Sequence, residues 1–348
     1  MDLVARLLAG DRRALARAIT LTENEDPAAA GLAAAVYPHT GKARTIGVTG
    51  PPGAGKSTIV DGLTHLYRRE GRRVAVVAVD PTSPFSGGAI LGDRIRMRRG
   101  AADPGVFIRS LATRGHLGGL SWHTGSVVRL LDAAGFDTIL VETVGAGQAE
   151  VEIMRYAETT VVVMVPGLGD EVQAIKAGIL EIADVLAVNK ADREGADRLV
   201  RELEIMLRMD GSVGRGGPLA REEGPAAGSE PGADAAGPEP WVPPVVKTVA
   251  TTDEGLPELL RAVEAHHEHL RATGGLERWR RRELAAEVRG LVRELAGQAA
   301  HAWATADGAW EELLSRVQRR EIDPRSASEG LVQEFLRHAG SGGPGARG

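Results

Sequence analysis

The chain has 348 residues, enough for about two domains or for one large domain with appended segments. Hydrophobic residues make up 43% of the sequence and aromatic residues 3%, and cysteine is absent, which excludes disulfides, thiolate metal sites and a cysteine nucleophile. The formal net charge of −5 disfavours a nucleic-acid-binding protein, because such proteins usually carry a clustered positive surplus.

The first segment, residues 1–43, is predicted to form a small helical cap. Leu3, Leu7, Leu15 and Ile19 recur at roughly helical spacing. Charged residues interrupt the N-terminal stretch, so a secretory signal is not predicted. The longest apolar runs of the chain are far shorter than the roughly 20 residues that a membrane span needs. We therefore expect a cytoplasmic protein that does not enter a membrane.

Residues 44–272 are predicted to form one α/β domain. Short β-branched runs alternate here with helical stretches, and continuous runs such as VAVVAV and TVVVMV are typical of strands buried on both faces. Such strands, joined by helices, form a mainly parallel sheet between two helical layers, so the predicted fold class is three-layer α/β. The predicted strands are Thr45–Thr49, Val74–Val79, Val106–Leu111, Thr138–Val141, Thr160–Val165, Val185–Val188 and Val245–Val249.

Residues 211–240 interrupt the pattern of this domain. Thirteen of these thirty residues are Gly or Pro and they show no hydrophobic periodicity, so we predict a disordered insertion before the last strand. Residues 273–340 contain charged, amphipathic helical stretches, which predict a helical arm or partner surface and not a second enzymatic domain. Residues 341–348 are predicted to form a disordered tail.

The run GPPGAGKS, which begins at Gly50, matches the Walker A motif without a gap. It follows a predicted strand and opens a predicted helix, which is the context that the motif requires. Glycines let backbone N–H groups close around phosphates, Lys56 can reach the β- and γ-phosphate oxygens, and the Ser57 hydroxyl can bind Mg²⁺. The domain is therefore predicted to be a P-loop NTPase. Its predicted phosphate-binding residues are Gly50, Pro51, Pro52, Gly53, Ala54, Gly55, Lys56, Ser57 and Thr58.

The run NKAD follows the sixth predicted strand and matches the guanine-specificity motif NKxD, with Asn189, Lys190 and Asp192 at its fixed positions. A carboxylate at Asp192 can accept hydrogen bonds from N1–H and the 2-amino group of guanine, whereas adenine offers no such pair. The sequence therefore predicts GTP and GDP as ligands, since a site built for those donors rejects the unmatched base. Three residues after the last strand are predicted to place backbone groups against the ring: Val249, Ala250 and Thr251.

Acidic residues close two predicted strands, Asp80 after VAVVAV and Glu142 after TILV. A hard cation beside phosphates prefers oxygen ligands, so these carboxylates predict a Mg²⁺ site together with Ser57, through direct contact or through water. Asp93 is a further candidate ligand. A role as a helix cap is the alternative for each acid, and above all for Asp93.

Glu142 also occupies the place of the switch aspartate in DxxG, and Lys56 and Glu142 are the predicted catalytic residues. No glutamine follows Gly145 directly, since Gln148 lies three residues further on. The usual water-positioning residue is therefore not identified, and slow intrinsic GTP hydrolysis is expected.

Three histidines, His266, His267 and His269, fall on one predicted helix after the last strand. On a helix they point in several directions, and a metal would need a further ligand beside the i,i+3 pair. We therefore predict a solvated helix face here and not a metal site.

The sequence resembles the methylmalonyl-CoA mutase-associated GTPases, also called the MeaB/ArgK family, from about Leu32 to Met209 and from Val245 to about Glu334. Its most specific stretches are DPTSPFSGGAILGDRIRM from Asp80, RSLATRGHLGGLS from Arg109 and ETVGAGQ from Glu142. Generic small GTPases share none of them. The insertion at 211–240 and the stretch Thr248–Thr251 depart from the family pattern.

The resemblance implies a homodimeric GTPase that serves as a chaperone of an adenosylcobalamin-dependent acyl-CoA mutase. Family members gate cofactor loading and protect or reactivate the mutase, which in turn stimulates GTP hydrolysis. The resemblance also implies a dimerisation arm in the C-terminal helices. By similarity, Ser57, Asp80, Asp93 and Glu142 fall on magnesium-site positions, and a partner-responsive loop at Gly167–Lys176 contains Asp170, Glu171, Gln173 and Lys176.

Two other classes of function stay open at this point. An enzyme-maturation GTPase that carries metal itself is opposed by the lack of cysteine and of a His-rich tract. A kinase or ATPase accessory to basic amino-acid transport is opposed by the NKxD motif, which disfavours ATP, and by the lack of a recognisable membrane or substrate segment.

Overall fold

The computed structural model describes residues 2–80, 103–112, 122–143, 155–167, 180–209, 241–306 and 308–341. Several predicted features lie outside these ranges: Asp93, the four loop residues Asp170, Glu171, Gln173 and Lys176, and the insertion 211–240. For Asp80 the backbone is described but not the side chain. The chain divides into two compact units, residues 1–279 and 280–348.

The described part of the first unit contains a seven-stranded sheet in which all neighbouring strands are parallel, in the order β3-β2-β4-β1-β5-β6-β7. Every position of β4, β5 and β6 is buried, as the continuous aliphatic runs predict for strands covered on both faces. The predicted parallel α/β sheet is therefore confirmed. The strands are β1 (Arg44–Thr49), β2 (Val74–Asp80), β3 (Val106–Ala112), β4 (Thr138–Thr143), β5 (Thr159–Met164), β6 (Val185–Asn189) and β7 (Val245–Thr248).

Helices occupy the predicted cap, the connections between strands and the C-terminal segment. They are α1 (Leu3–Leu8), α2 (Arg12–Glu23), α3 (Ala28–Val36), α4 (Lys56–Arg69), α5 (Trp122–Ala133), α6 (Ala196–Met209), α7 (Leu256–Ala272), α8 (Gly275–Ala306), α9 (Ala309–Gln318) and α10 (Pro324–Ser341). Short 3₁₀ helices lie at Tyr37–His39 and Leu180–Ile182. Within the described ranges, none of these helices is long and apolar enough to cross a membrane.

The side chains of the sheet alternate between two helical layers. Ile139 and Val141 of β4 pack in a cluster with α5 and the N-terminal helices, while Leu140 packs in a second cluster with α4 and α7. A third cluster joins β5 and β6 to α6. This is the three-layer arrangement, and it places the side chain of every second residue of β4, including Glu142, toward α4.

A buried carboxylate fixes the chain at the entry to β1. Asp132, near the end of α5, accepts hydrogen bonds from the backbone N–H groups of Gly41, Lys42 and Ala43, at 2.5, 3.2 and 2.9 Å. These donors belong to the loop that joins the N-terminal helices to the sheet. The contact therefore sets where β1 begins, and with it the loop that follows β1.

A half-buried ionic cluster ties α7 to β1 and α4. The Glu264 carboxylate accepts hydrogen bonds from the guanidinium of Arg44, from both terminal nitrogens of Arg72 at 3.2 Å, and from the Tyr67 hydroxyl at 3.1 Å. Burial raises the pKa of Glu264, but the hydrogen bonds and charges of Arg44 and Arg72 outweigh it and hold the pKa below its ordinary value. Burial, with the Glu264 charge added, raises the pKa of Tyr67 well above its ordinary value.

We predict that Glu264→Gln lowers the free energy of unfolding by about 1–3 kcal/mol at neutral pH, because two arginines lose their shared counter-charge. The folded pKa of Glu264 lies below its ordinary value of 4.5. The stabilisation is therefore fully present above that value and is lost as the pH falls through the folded pKa. Urea unfolding at about pH 7 and about pH 3 measures both effects.

Glu258→Gln is the matched control, since Glu258 lies on the same helix and pairs with Arg261 at the exposed surface. Its removal is expected to change stability by less than about 0.5 kcal/mol. The role given to Glu264 would be contradicted if both variants lost the same free energy of unfolding at neutral pH. It would also be contradicted if the difference in stability between them were unchanged at acid pH.

Candidate nucleotide-binding site

The loop between β1 and α4 has the backbone of a phosphate-binding loop. Gly50 and Gly55 have φ values of 138° and 93°, which favour glycine. A Cβ on Gly50 would lie 2.2 Å from the carbonyl oxygen of Val163, and one on Gly55 would lie 2.3 Å from the Asn189 side-chain nitrogen. Close packing against β5 and β6 therefore requires glycine at both positions.

The first turn of α4 presents its N–H groups toward this loop. The residue at its N-cap is Gly55, which provides no side-chain hydrogen bond to the helix. Uncapped N–H groups and the helix dipole together favour an anion at that point. Lys56 is buried, and its Nζ donates to the carbonyl oxygens of Gly50 and Pro51 at 2.6 and 3.2 Å. The ammonium thus lies against the same loop, where phosphate oxygens would be held.

Ser57 and Glu142 lie together at the phosphate end of the site. Ser57 Oγ donates a hydrogen bond of 2.5 Å to Glu142 Oε1, and Glu142 is 1% exposed. Glu142 reaches this position because it pairs in register with Val48, two residues before the loop begins. Two hard oxygen ligands beside a phosphate site fit Mg²⁺, which binds few protein ligands and takes the rest from phosphate and water.

Asp80, the other strand-end acid, is the last residue of β2. The register Val79↔Thr143 brings the ends of β2 and β4 side by side, so the backbone of Asp80 lies at the same sheet edge as Glu142. Among the described residues, no group of three or more His, Asp or Glu forms a ready metal cage.

Asn189 joins three segments at the base end of the site. Its Oδ1 accepts from the backbone N–H of Ala250 at 3.1 Å and from the Thr248 hydroxyl at 3.2 Å, while its Nδ2 donates to the Ala54 carbonyl oxygen at 2.8 Å. The side chain is 3% exposed. The motif predicts Asn189 at the site, but not this cross-link between the phosphate loop, β6 and the segment after β7.

Lys190 and Asp192 complete the NKxD motif at the surface. Lys190 has a φ of 56° and donates from Nζ to the Gly53 carbonyl oxygen at 2.7 Å. Asp192 is exposed, so its carboxylate is accessible to a ligand. The loop that starts at Val249 is closed by hydrogen bonds from Val249 N–H to the Glu254 carbonyl oxygen and from Thr252 N–H to the Val249 carbonyl oxygen, at 2.9 and 3.0 Å. Lys190 therefore borders the Walker A loop directly, and the loop after β7 is linked to it through Asn189, which binds both Ala54 and Ala250.

The predicted solvated face at the three histidines is wrong for two of them. His266 and His267 are 3% and 8% exposed. His266 Nδ1 lies 2.9 Å from the Thr159 hydroxyl and its Nε2 lies 3.4 Å from Asp184 Oδ1. Burial lowers the pKa of His266 to about 3, so the ring is neutral and the contact is a polar one within the core.

This histidine cluster lies at the opposite end of the strands from the phosphate loop, because Thr159 begins β5 and Asp184 precedes β6. Burial raises the pKa of Asp184 to about 7. The apolar residues of α7 recur through Leu256, Leu259 and Val263, and the same spacing reaches His266. That periodicity was the signal in the sequence for burial at this position.

Known proteins resemble this chain both in sequence and in fold. The model of the family "Methylmalonyl Co-A mutase-associated GTPase MeaB" matches residues 15–305. A relative from Pyrococcus abyssi is 47% identical over 96% of both chains. The mouse protein "Methylmalonic aciduria type A homolog, mitochondrial" is 33% identical over 78% of this chain and 63% of its own length.

Among solved structures, LAO/AO transport system kinase superposes with a TM-score of 0.64 at 27% identity, covering 96% of each chain. That likeness extends over the parallel sheet and the helices around it. The family match includes the Walker A loop, Glu142 and the NKxD motif, since all lie within residues 15–305. The chain therefore belongs to the MeaB family of methylmalonyl-CoA mutase-associated P-loop GTPases.

Proposed function

We propose that this protein binds GTP and GDP with Mg²⁺, hydrolyses GTP slowly, and acts in the cytoplasm as a chaperone of an adenosylcobalamin-dependent acyl-CoA mutase. One observation supports the nucleotide part above all others. Asn189 binds Ala54 and Ala250 at once, so the phosphate loop and the base-binding segments are held in one buried network. The family match over residues 15–305 supports the mutase part.

At the base, Asp192 is proposed to accept from N1–H and the 2-amino group of guanine. Its exposure leaves the carboxylate accessible, while Lys190 and Asn189 fix the backbone around it. Charge-assisted hydrogen bonds are each worth about 1.5–3 kcal/mol, which is enough to select guanine over adenine. The loop of Val249, Ala250 and Thr251 is proposed to border the ring.

At the phosphates, the glycine loop and the N-terminus of α4 are proposed to hold the anion, with Gly50–Thr58 as the contacting residues. Lys56 is proposed to stabilise charge on the transferred phosphoryl group. Ser57 and Glu142, with Asp80 and Asp93, are proposed to hold Mg²⁺. When bound, Mg²⁺ neutralises the negative charge that develops on the phosphate oxygens.

The mutase partner is proposed from the family and from one relative. The family description names the mutase, and the name of the mouse relative refers to methylmalonic aciduria. By this proposal the chaperone gates cofactor loading and protects or reactivates the mutase, and the mutase accelerates GTP hydrolysis. Asp170, Glu171, Gln173 and Lys176 stay predicted switch residues.

A homodimer is proposed to form through the C-terminal arm. On α8, Leu284, Val288, Val292 and Leu295 are 42%, 58%, 60% and 61% exposed, spaced four, four and three residues apart. That spacing places them on one side of a helix, as in a coiled-coil seam. A second copy of the same apolar stripe would cover it.

The name of the structural relative, LAO/AO transport system kinase, suggests the second candidate function, a kinase accessory to basic amino-acid transport. Transfer of labelled phosphate from ATP to the chain or to a partner protein would support it. The site geometry favours the GTPase instead, because the NKxD residues border the phosphate loop.

We predict that Asp192→Asn weakens GDP binding by about 10- to 100-fold, because the guanine donors lose a charged acceptor. Displacement of a fluorescent GDP analogue by unlabelled GDP and ATP measures both affinity and base selectivity. Asp197→Asn is the matched control, since Asp197 is exposed on α6 and pairs with Lys247. Unchanged selectivity in D192N, or ATP displacing as well as GDP from the wild type, would contradict guanine recognition.

We predict that an adenosylcobalamin-dependent mutase of the source organism accelerates phosphate release from GTP by the wild type, whereas Lys56→Ala stays inactive with or without the mutase. Lys247→Ala, which removes an exposed lysine that pairs with Asp197 on α6 and not with the phosphate loop, is expected to respond like the wild type. If every such mutase leaves the rate unchanged while GDP still binds, the chaperone role is wrong and the GTPase assignment survives.

We predict that Val288→Asp with Val292→Asp converts a dimer of the full chain into a monomer, because two carboxylates would have to be desolvated in the seam. Sedimentation velocity over a range of protein concentrations measures this. Arg293→Asp places a carboxylate on another side of the same helix and is expected to leave the dimer intact. A monomeric wild type, or a dimeric V288D/V292D variant, would exclude this interface.

A further inference from the structure

Two buried threonines connect the ends of β1 and β4. Thr49 Oγ1 and Thr143 Oγ1 lie 3.0 Å apart, and both residues are fully buried. Thr49 directly precedes Gly50 of the phosphate loop, and Thr143 directly follows Glu142. The hydroxyl pair therefore links the two chain segments that bear Ser57 and Glu142.

The pair lies at the point where the two strands separate. The paired register of β1 and β4 runs from Arg44↔Thr138 to Val48↔Glu142. Beyond it, Thr49 continues in register with Val162 of β5, and Thr143 continues in register with Val79 of β2. The hydroxyl–hydroxyl bond thus extends the connection between β1 and β4 by one residue beyond their paired register.

Side-chain alternation puts the pair on the opposite face of the sheet from the cation ligands. Successive residues of a strand point to opposite faces, so Glu142 points toward α4 and Thr143 points away from it. The Ser57–Glu142 contact of 2.5 Å and the threonine contact of 3.0 Å therefore hold the same backbone from its two sides. A shift of β4 along β1 would lengthen both contacts together.

We propose that Thr49 and Thr143 are positioning residues, whose hydrogen bond fixes Glu142 against Ser57 and thereby sets how strongly Mg²⁺ binds with the nucleotide. The inference rests on the proposed GTPase function and its Mg²⁺ site. Neither threonine contacts a ligand in this role. Each acts through the backbone of its neighbour, Gly50 or Glu142.

Thr143→Val removes the hydroxyl and keeps the shape of the side chain. Because a net hydrogen bond is worth about 0.5–1.5 kcal/mol, the Mg²⁺ concentration that half-saturates fluorescent GDP binding should rise about three- to tenfold. GDP affinity in the presence of EDTA should stay that of the wild type. Thr143→Ser, which retains the hydroxyl, should restore the wild-type midpoint to within about twofold.

Thr138→Val is the matched control. Thr138 lies on the same strand and is fully buried, and among the described residues its hydroxyl has no hydrogen-bond partner. The substitution therefore makes the same chemical change at the same depth without breaking a hydrogen bond. T138V should keep the wild-type Mg²⁺ midpoint and unfold at the same or a higher urea concentration.

The double variant T49V/T143V covers the case in which T143V fails to fold, since it leaves neither hydroxyl buried without a partner. It should show the same raised Mg²⁺ midpoint as T143V and no further rise. The positioning role is overturned if T143V or T49V/T143V keeps the wild-type Mg²⁺ midpoint, or if T138V raises that midpoint equally. Either result leaves the proposed GTPase function intact. A wild type whose GDP binding ignores Mg²⁺ overturns the Mg²⁺ site, and this inference with it.

Discussion

Parallel pairing within the described sheet places the carboxyl ends of all its strands at one edge. The functional side chains follow from that constraint, because each predicted site residue in the described ranges comes at or just after the end of a strand. β1, at the centre of the strand order, leads into the phosphate loop. On one side of it lies β4, which carries Glu142, and on the other lie β5 and then β6, which ends at Asn189. Sequence segments more than a hundred residues apart, such as those of Ala54 and Asn189, therefore meet at this edge.

The polar groups at the two edges of this sheet differ in their hydrogen-bond partners. At the amino-terminal edge, the partners of Glu264 favour its charged form, whereas burial keeps the His266 ring neutral beside Thr159. At the carboxyl edge, the uncapped helix after Gly55 and the exposed Asp192 keep hydrogen-bonding capacity for a ligand. Buried polar groups alone thus do not identify the site, since both edges contain them.

Much of the fold was predictable from sequence because its determinants are local. The short β-branched runs of the sequence mark every strand of the described sheet to within two residues at either end. The glycines of the Walker A loop specify both its conformation and its close packing. The prediction at His266 is wrong because the helical period of Leu256, Leu259 and Val263 decides burial there, whatever the polarity of the residue. The hydrogen bonds of Asn189 and the Thr49–Thr143 bond depend on which strands lie side by side. Local sequence patterns do not determine the order of strands in the sheet.

The two side chains that bind the phosphate loop from other strands also explain how the ends of a nucleotide site could communicate. Asn189 is bonded to Ala54 within the loop, and Glu142 is bonded to Ser57 just after it. A change in the position of the loop would therefore alter its hydrogen bond to Asn189 of β6 on one side and to Glu142 of β4 on the other. Because β4 leads directly into residues 144–150, Glu142 is the point at which the phosphate end of the site connects to the rest of the ETVGAGQ segment. In the proposed positioning role, the hydrogen bond between Thr49 and Thr143 ties the end of β4 to the residue that precedes the loop, so that the two would shift together.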